Sequence, residues 1–482
     1  MNKSRDIQFF IFPVLMTLSV MLIVLYRPLW FDEALTLMNF VNGKSLSQIY
    51  HSYIIPNNQI VYSMCLSLWT QMTNCFSMNY DFASRLLSAV FSTVAVIALY
   101  CGFKRETGGK WGMFFIISNI YFCVPFVIYG TAVRGYQLSF MLLIFLTWSI
   151  KNISRKVTWK NLSVYTILSL LLVGTIPTNL LGIGMAVGIF MPELWGKWKR
   201  IAALATIPFI MFFAFYVPIW AKFINVCNLG EGLTDRTMAI IVPYAAFLLN
   251  YPLLTVIALW GWILACKHRK IRYRNVFRFM ALLLWIIPCL ILKVAPFNRV
   301  FYPCFALLII VAGMGIKHWI YLFFRKISNR RQHIAVLIFG ILIIGNFLLL
   351  KNNSVAQTIQ KSMKFTEMTD DYFLPYYFKE EFFPPSVINQ INSQYINNVN
   401  LVFLTFEADS RALYFYATFG GRDNSKYLLD GPQFKVAYLP YRTLIVLPVN
   451  GDIEKYKKRF NLQNRRVSKL FVNGWHEVWE VL

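Results

Sequence analysis

Read for hydrophobic and polar positions, the chain falls into long apolar runs separated by short polar or basic stretches. A run of about 17–25 residues is long enough to cross a bilayer as a helix. Such runs occur at 7–27, 82–103, 111–130, 134–150, 162–176, 178–195, 201–220, 238–266, 276–293, 299–322 and 333–350. The pattern therefore predicts a polytopic α-helical membrane protein with about 11 transmembrane helices. Between 162 and 195, Gly174, Pro177 and Gly182 interrupt the apolar stretch. That predicts two short helices joined by a tight turn at Ile176-Pro177-Thr178-Asn179.

Two regions depart from this pattern. The loop 30–81 carries helix-like patterning at 33–52 and 58–76, with Tyr50, Tyr53 and Trp69 suited to a membrane interface. These segments are expected as amphipathic helices lying on the membrane face, separated by the polar turn Ile55-Pro56-Asn57-Asn58-Gln59-Ile60-Val61-Tyr62. After 351 no spanning run follows the last helix. Short strands are expected at 400–406, 434–439 and 442–449, helices at 410–419 and 453–460, and a hairpin turn at Asn473-Gly474. The expected organisation is a membrane domain over 1–351 and a small α/β domain over 352–482. There is no internal repeat and no low-complexity tract.

Composition agrees with a membrane class: 57% of residues are hydrophobic, 14% are charged and the mean hydropathy is +0.53. The net charge of +26 would suggest nucleic acid in a soluble protein. Here the basic residues fall in alternate loops, around 3–5, 104–110, 151–160, 197–200, 267–274 and 317–331, while the intervening loops near the membrane are nearly free of Lys and Arg. That alternation follows the positive-inside rule. It excludes nucleic acid as the reason for the charge and makes membrane lipids the partners. It also places the N-terminus in the cytoplasm and the C-terminal domain outside. The first apolar run lacks an Ala-x-Ala-type cleavage site and reads as a retained helix. All 8 Cys lie at or before Cys304 without a CxxC pair, which argues against a zinc site or disulfide framework and for core thiols.

The candidate chemistry begins at Trp30-Phe31-Asp32-Glu33-Ala34-Leu35-Thr36, where two carboxylates follow the first apolar run. Ionisable groups at that depth are costly and are kept for function. Adjacent positions on a helix point in different directions, so one acid can face a reaction centre while the other meets a metal, an Arg or a backbone amide. The plainer alternative is a marker of the membrane surface or a helix cap. On the same expected face lie Arg85, the stretch Tyr129-Gly130-Thr131-Ala132-Val133-Arg134-Gly135-Tyr136, and Lys293 and Arg299 flanking a short turn. Guanidinium groups are planar donors suited to phosphate; snorkelling to headgroups is the alternative.

The order of these motifs resembles the GT-C membrane glycosyltransferases, in the branch of bacterial aminoarabinose transferases and protein O-mannosyltransferases. The Asp32-Glu33 pair, the Pro56-Asn57-Asn58 turn with Tyr62, Arg85-Leu86-Leu87, Arg134-Gly135-Tyr136 and Arg299-Val300-Phe301-Tyr302 carry the resemblance across about 1–320. It implies a GT-C fold and a polyprenyl-phosphate-linked sugar donor in a bacterial inner membrane. The acceptor would be lipid A, a surface glycan or a protein. Asp32 would act as the base at the acceptor hydroxyl, with Glu33 as its partner, directly or through a divalent metal ion. Arg134 and Arg299 would hold the polyprenyl phosphate, and Asn57, Asn58 and Tyr62 would line the sugar and acceptor cleft. Arg85, Tyr136 and Lys293 complete the candidate substrate-binding set. Two departures stand out: Gln59 occupies a position where relatives often have His, and the late motif is Arg299-Val300-Phe301-Tyr302 rather than Arg-Tyr. A transporter or flippase of lipid-linked glycans is the rival reading. Transporters are expected to show paired repeats, which are absent from this sequence. A third reading, an inactive membrane scaffold whose 352–482 domain binds a partner, is opposed by the grouping of Asp32, Arg134 and Arg299 on one expected face.

Overall fold

The structure is a computed structural model. It describes residues 28–29, 31–55, 58–76, 78–121, 124–229, 251–266, 269–284, 286–287, 298–324, 384–394, 400–403, 410–419, 427–429, 442–449, 451–474 and 476–482, with isolated positions between 11 and 25, between 244 and 248, and at 439. The chain divides into two compact units, Met1–Leu25 with Ser45–Asp370, and Tyr26–Lys44 with Asp371–Leu482. The division in the C-terminal half falls at Asp370/Asp371, and the acidic stretch after the first apolar run groups with the C-terminal residues. In chain order the second unit contributes α1 (Phe31–Thr36), continued as a π-helical turn Leu37–Val41, and the first unit then begins with α2 (Leu46–His51), α3 (Ile60–Asn74) and α4 (Tyr80–Phe103). There follow α5 (Lys110–Tyr121), α6 (Val124–Thr131), α7 (Tyr136–Arg155), α8 (Trp159–Thr175), α9 (Asn179–Ile189) and α10 (Met191–Leu194). The remaining helices of the first unit are α11 (Trp198–Tyr216), α12 (Trp220–Leu229), α13 (Pro252–Ala265), α14 (Arg269–Leu282) and α15 (Phe305–Phe324), with a 3-10 segment Asn298–Cys304 before the last.

The first unit is organised around α7. Sixteen of its twenty residues are buried, and it packs against α4, α8, α9, α15 and the 3-10 segment. A helix covered on all sides can be apolar all round; here its polar positions are closed by specific partners. Asn179 donates to Ser139 Oγ at 2.8 Å and to the Leu172 carbonyl at 2.9 Å. That second bond adds a donor to a carbonyl that also accepts the Ile176 amide at 3.1 Å. The α8–α9 break falls at the expected turn. Pro177 forces its predecessor out of the helical region, and Ile176 is extended at φ −142°, ψ 123°.

Three helical stretches among the described residues are long and apolar enough to cross a membrane: Tyr80–Phe103, Trp198–Cys227 and Val300–Trp319. A fourth arises if Lys110–Ile120 and Pro125–Thr131, bent by 76°, form one span. The expected run 333–350, most of 7–27 and parts of 238–266 and 276–293 lie outside the described residues. The spans differ in what covers them. Of the Val300–Trp319 window 78% is buried in protein, against 17% of Trp198–Cys227. The latter displays Phe209, Ile210, Phe213 and Val217 on its surface, a face that lipid can cover as well as protein can. The same reasoning corrects the expectation of core thiols. Cys101 and Cys227 are exposed on apolar helices, and all six described cysteines are free.

The outer-loop helices are shorter than their pattern suggested. The 33–52 segment breaks after Val41, and α2 starts anew from Ser45, whose side chain accepts from the Gln48 amide while Gln48 reaches back to the Ser45 amide. This reciprocal capping sets a helix start. Trp69 ties α3 to α4 by donating to the Ala83 carbonyl at 2.8 Å. Tyr53 and Ile60 pack with Tyr216, Ile219, Phe223 and Val226. Loss of hydration there, and secondarily the Cys227 thiol, push the Tyr53 phenol far above its ordinary range, so it packs as a neutral ring.

The second unit contains α16 (Pro384–Gln394), α17 (Ser410–Phe419), α18 (Ile453–Arg459) and strands β1 (Asn400–Phe403), β2 (Tyr427–Leu429), β3 (Thr443–Pro448), β4 (Val467–Asn473) and β5 (His476–Val481). The sheet order is β2-β1-β3-β5-β4. The first three strands run parallel, and β5 pairs antiparallel with β3 and β4. Strand β3 is a continuous apolar run because both faces are covered. Leu444 and Val446 enter a core with α16 and α17, while Ile445 and Leu447 enter a second core with Ile453 of α18. Asn473 ends β4 paired with His476 of β5, and Gly474 after it has φ +57°. The expected strand 434–439 lies largely outside the described residues. Helix α16 and strand β2 were not legible in the pattern.

Candidate functional site

The site begins at the break between α6 and α7. Residues 132–135 leave helical geometry there, so the last carbonyls of α6 need partners other than their own helix. In apolar surroundings each unmet backbone group is costly. Two serines one turn apart on α4 meet that need: Ser88 donates to the Ala132 carbonyl at 2.6 Å, and Ser92 to the Gly130 carbonyl at 3.0 Å. Positions i and i+4 share a helix face, so both hydroxyls reach the same turn. Tyr62 of α3 is hydrogen-bonded to Ser88 Oγ at 3.0 Å, and Gln59 accepts the Gly135 amide through its side-chain oxygen. Helix α4 and the start of α3 therefore hold this turn in place.

Arg134 lies within it, only 4% exposed. Its Nη2 donates to Tyr136 Oη at 3.3 Å, and its guanidinium stands 5.4 Å from the Tyr136 ring centroid. The Tyr129 ring lies 5.2 Å from Tyr136 and 4.7 Å from Tyr302. Tyr302 stacks on Phe140 and donates to Gln137 Oε1 at 2.8 Å. A guanidinium held against aromatic faces keeps its charge while losing much of its water. One turn before Ser88, Arg85 is fully buried and donates to the Leu25 carbonyl at 3.3 Å. This arrangement can offer fixed, partly desolvated positive charge, which is what a phosphate or a departing phosphate needs.

The structure joins Tyr62, Arg134 and Tyr136 of the expected set in one network and places Arg85 on the helix that supports it. Asn58 is buried and spends its side chain on the loop itself. It donates to the Ile49 and Ser52 carbonyls, each at 3.2 Å, and accepts from Ser63 Oγ at 3.0 Å. Asn57 and Lys293 lie outside the described residues, and Arg299 stands in the backbone of the 3-10 segment Asn298–Cys304. Gln59, Ser88, Ser92 and Gln137 were missed as positioning residues. Serines at i, i+4 spacing inside a spanning run were the available signal, since each must find an acceptor.

In the second unit, Asp32 and Glu33 occupy the first turn of α1, where the exposed amides of a helix start favour carboxylates. They differ as adjacent positions should: Glu33 is fully buried and Asp32 is partly exposed. Helix α1 packs against α17, and Tyr416 accepts from the Leu29 amide at 2.8 Å just before it. The π-helical turn that follows is a geometry frequent at functional sites. Among the described residues no three His, Cys, Asp or Glu side chains converge to hold a metal ion.

No family model and no curated protein matches this sequence. Solved structures do match its fold. ArnT from Cupriavidus metallidurans in the apo state aligns with a TM-score of 0.55, and ArnT from the same organism bound to undecaprenyl phosphate with 0.52. Identity is 10% in each case, and 97% of this chain and 97% of that chain are covered. The fold is therefore that of the GT-C glycosyltransferases. With its apolar helices, this makes the chain a membrane protein.

Proposed function

We propose that this chain is a membrane glycosyltransferase that moves a sugar from a polyprenyl-phosphate donor to an acceptor hydroxyl or phosphate. The acceptor would be lipid A, a surface glycan or a protein, reached on the outer face of a bacterial inner membrane. The observation that carries the reading is likeness of fold over 97% of both chains to a protein crystallised with undecaprenyl phosphate. The buried Arg134, in a turn held by α4 and the start of α3, supports it. For a hydroxyl acceptor, the oxygen attacks the anomeric carbon, the bond from that carbon to the phosphate oxygen breaks, and the hydroxyl proton passes to Asp32. A carboxylate within hydrogen-bond reach suffices for that transfer. Glu33 supports Asp32. Arg134 and Arg299 offset the charge that develops on the departing polyprenyl phosphate, with Arg85 and Lys293 adding to the positive field. Asn57, Asn58, Tyr62 and Tyr136 shape the sugar and acceptor cleft. Single in-line displacement predicts inversion at the anomeric carbon.

The test is transfer from a radiolabelled polyprenyl-phosphate sugar pool in membranes carrying wild type or Asp32→Asn. Label reaching an acceptor only with wild type supports the transferase and the role of Asp32, and the labelled product identifies the acceptor. Equal transfer removes Asp32 from the mechanism. Labelled lipid crossing the membrane without transfer replaces the reading with a flippase.

A further inference from the structure

Helix α7 carries a second feature at its far end. From Tyr136 to Lys151 the helix rises by roughly 22 Å at 1.5 Å per residue. A cavity of about 570 Å³ opens there, of the size that takes a small ligand. Six cations line it: Lys151, Arg155, Lys197, Arg274, Arg278 and Lys317. Only two carboxylates do, Glu106 and Glu193, leaving an excess of four positive charges. Five of the six come from the basic stretches that the charge alternation assigns to the cytoplasmic side, and Arg278 lies one turn beyond Arg274 on α14.

The carboxylates are already committed. Glu106 pairs with Lys151 at 2.7 Å and with Arg155 at 3.2 Å, and Glu193 pairs with Arg278 at 2.7 Å. Lys197 is spent on the Ser154 and Glu193 carbonyls at 3.0 and 2.9 Å. Arg274 and Lys317 line the same cavity, are exposed, and have no hydrogen-bond or ion-pair partner among the described residues. A guanidinium fork and an ammonium left over in a cavity whose acids are consumed match phosphate oxygens. The level in the membrane is informative as well. Trp195 and Phe277 pack with ring centroids 5.7 Å apart and are both exposed, and Trp198 is 70% exposed. Trp at such positions marks the headgroup level of a bilayer.

We propose that this cavity is a second site, separate from the Arg134 turn, that binds a phosphate-bearing anion through Arg274 and Lys317, at the level of the headgroups of anionic phospholipids. The inference does not depend on the transferase reading. It is tested on the full-length protein in neutral detergent by native mass spectrometry, titrating short-chain phosphatidylglycerol, short-chain phosphatidylcholine or inorganic pyrophosphate. The variants are the double substitution Arg274→Gln/Lys317→Gln and, as a control for diffuse surface charge, Lys156→Gln/Lys160→Gln outside the cavity. Saturable binding of phosphatidylglycerol over phosphatidylcholine is expected, weakened about tenfold by the cavity pair, as loss of a charge-assisted bond implies, and unchanged by the control pair. Saturable pyrophosphate binding with the same dependence, without a lipid preference, would support the site and assign it to a soluble phosphate. Equal weakening by both pairs, or no preference for either phosphate compound in wild type, would overturn the proposal.

Discussion

The two ends of α7 set a buried cation among different neighbours. At its C-terminal end Lys151, 8% exposed in its side chain, is matched by Glu106 at 2.7 Å and also donates to the Gly102 carbonyl at 2.5 Å. At the N-terminal end Arg134 rests on the Tyr136 ring and phenol, inside a turn held by hydroxyls and an amide oxygen. A buried charge must be compensated. Compensation by a carboxylate holds helices together and consumes the charge. One end therefore shows a cation against a carboxylate and a carbonyl, and the other a cation against a phenol ring in a turn fixed by hydroxyls.

That contrast can be broken most sharply at Arg134. Arg134→Ala is expected to reduce transfer from a polyprenyl-phosphate sugar by about 100-fold or more, the scale for removing one stabiliser of a developing anion. The Ser88 and Ser92 bonds to the turn do not involve the guanidinium, so the protein should still purify folded. Single-turnover transfer with wild type and variant is the measurement. Transfer within a few-fold of wild type would show that this end is as structural as the other. The matching change at the other end is Glu106→Gln. It strands Lys151 and should destabilise the protein by about 3 kcal/mol, the lower end of the range for breaking a buried pair, because Glu106 is 20% exposed. Transfer per folded molecule should stay unchanged. The midpoint of unfolding in sodium dodecyl sulfate and the specific activity together decide it.

How much of this was legible follows the same physical line. Helix spans and basic loops are written in hydropathy and charge, so the α8–α9 turn at Pro177 and the interruption at Arg134 could be anticipated. The C-terminal hairpin was also visible, because Asn-Gly is local turn chemistry. What could not be seen is long-range. Leu29 meets Tyr416 across 387 positions, and nothing in the Asp32-Glu33 stretch indicates that it groups with the C-terminal unit. Gln59 was read as a His position left empty. Its use, accepting the Gly135 amide, depends on a partner 76 residues away. Strand β2 and helix α16 are short, and their neighbouring segments carry no strong period. Cavities are the extreme case, since six cations on α7, α14, α15 and the residue before α11 converge only in the folded chain.

The smallest expected effect probes whether the Arg134 turn is prepared by packing as well as by hydrogen bonds. A Cβ added at Gly135 would lie 2.7 Å from Thr175 Cγ2, 2.9 Å from Gln59 Oε1 and 3.0 Å from Tyr62 Cβ. The Tyr62 neighbour is the stem of a buried side chain and Thr175 is 1% exposed, so neither can swing away freely. Overpacking of this kind costs about 1–3 kcal/mol. Gly135→Ala should therefore lower the midpoint of unfolding less than Glu106→Gln does. Because Gln59 must shift, it should also reduce transfer per folded molecule, which Glu106→Gln should not. If Gly135→Ala lowers stability and leaves transfer intact, the turn tolerates displacement and Arg134 is placed by its own contacts with Tyr136. If it lowers both, the close approach of α3, α8 and the turn is part of how the guanidinium is held ready.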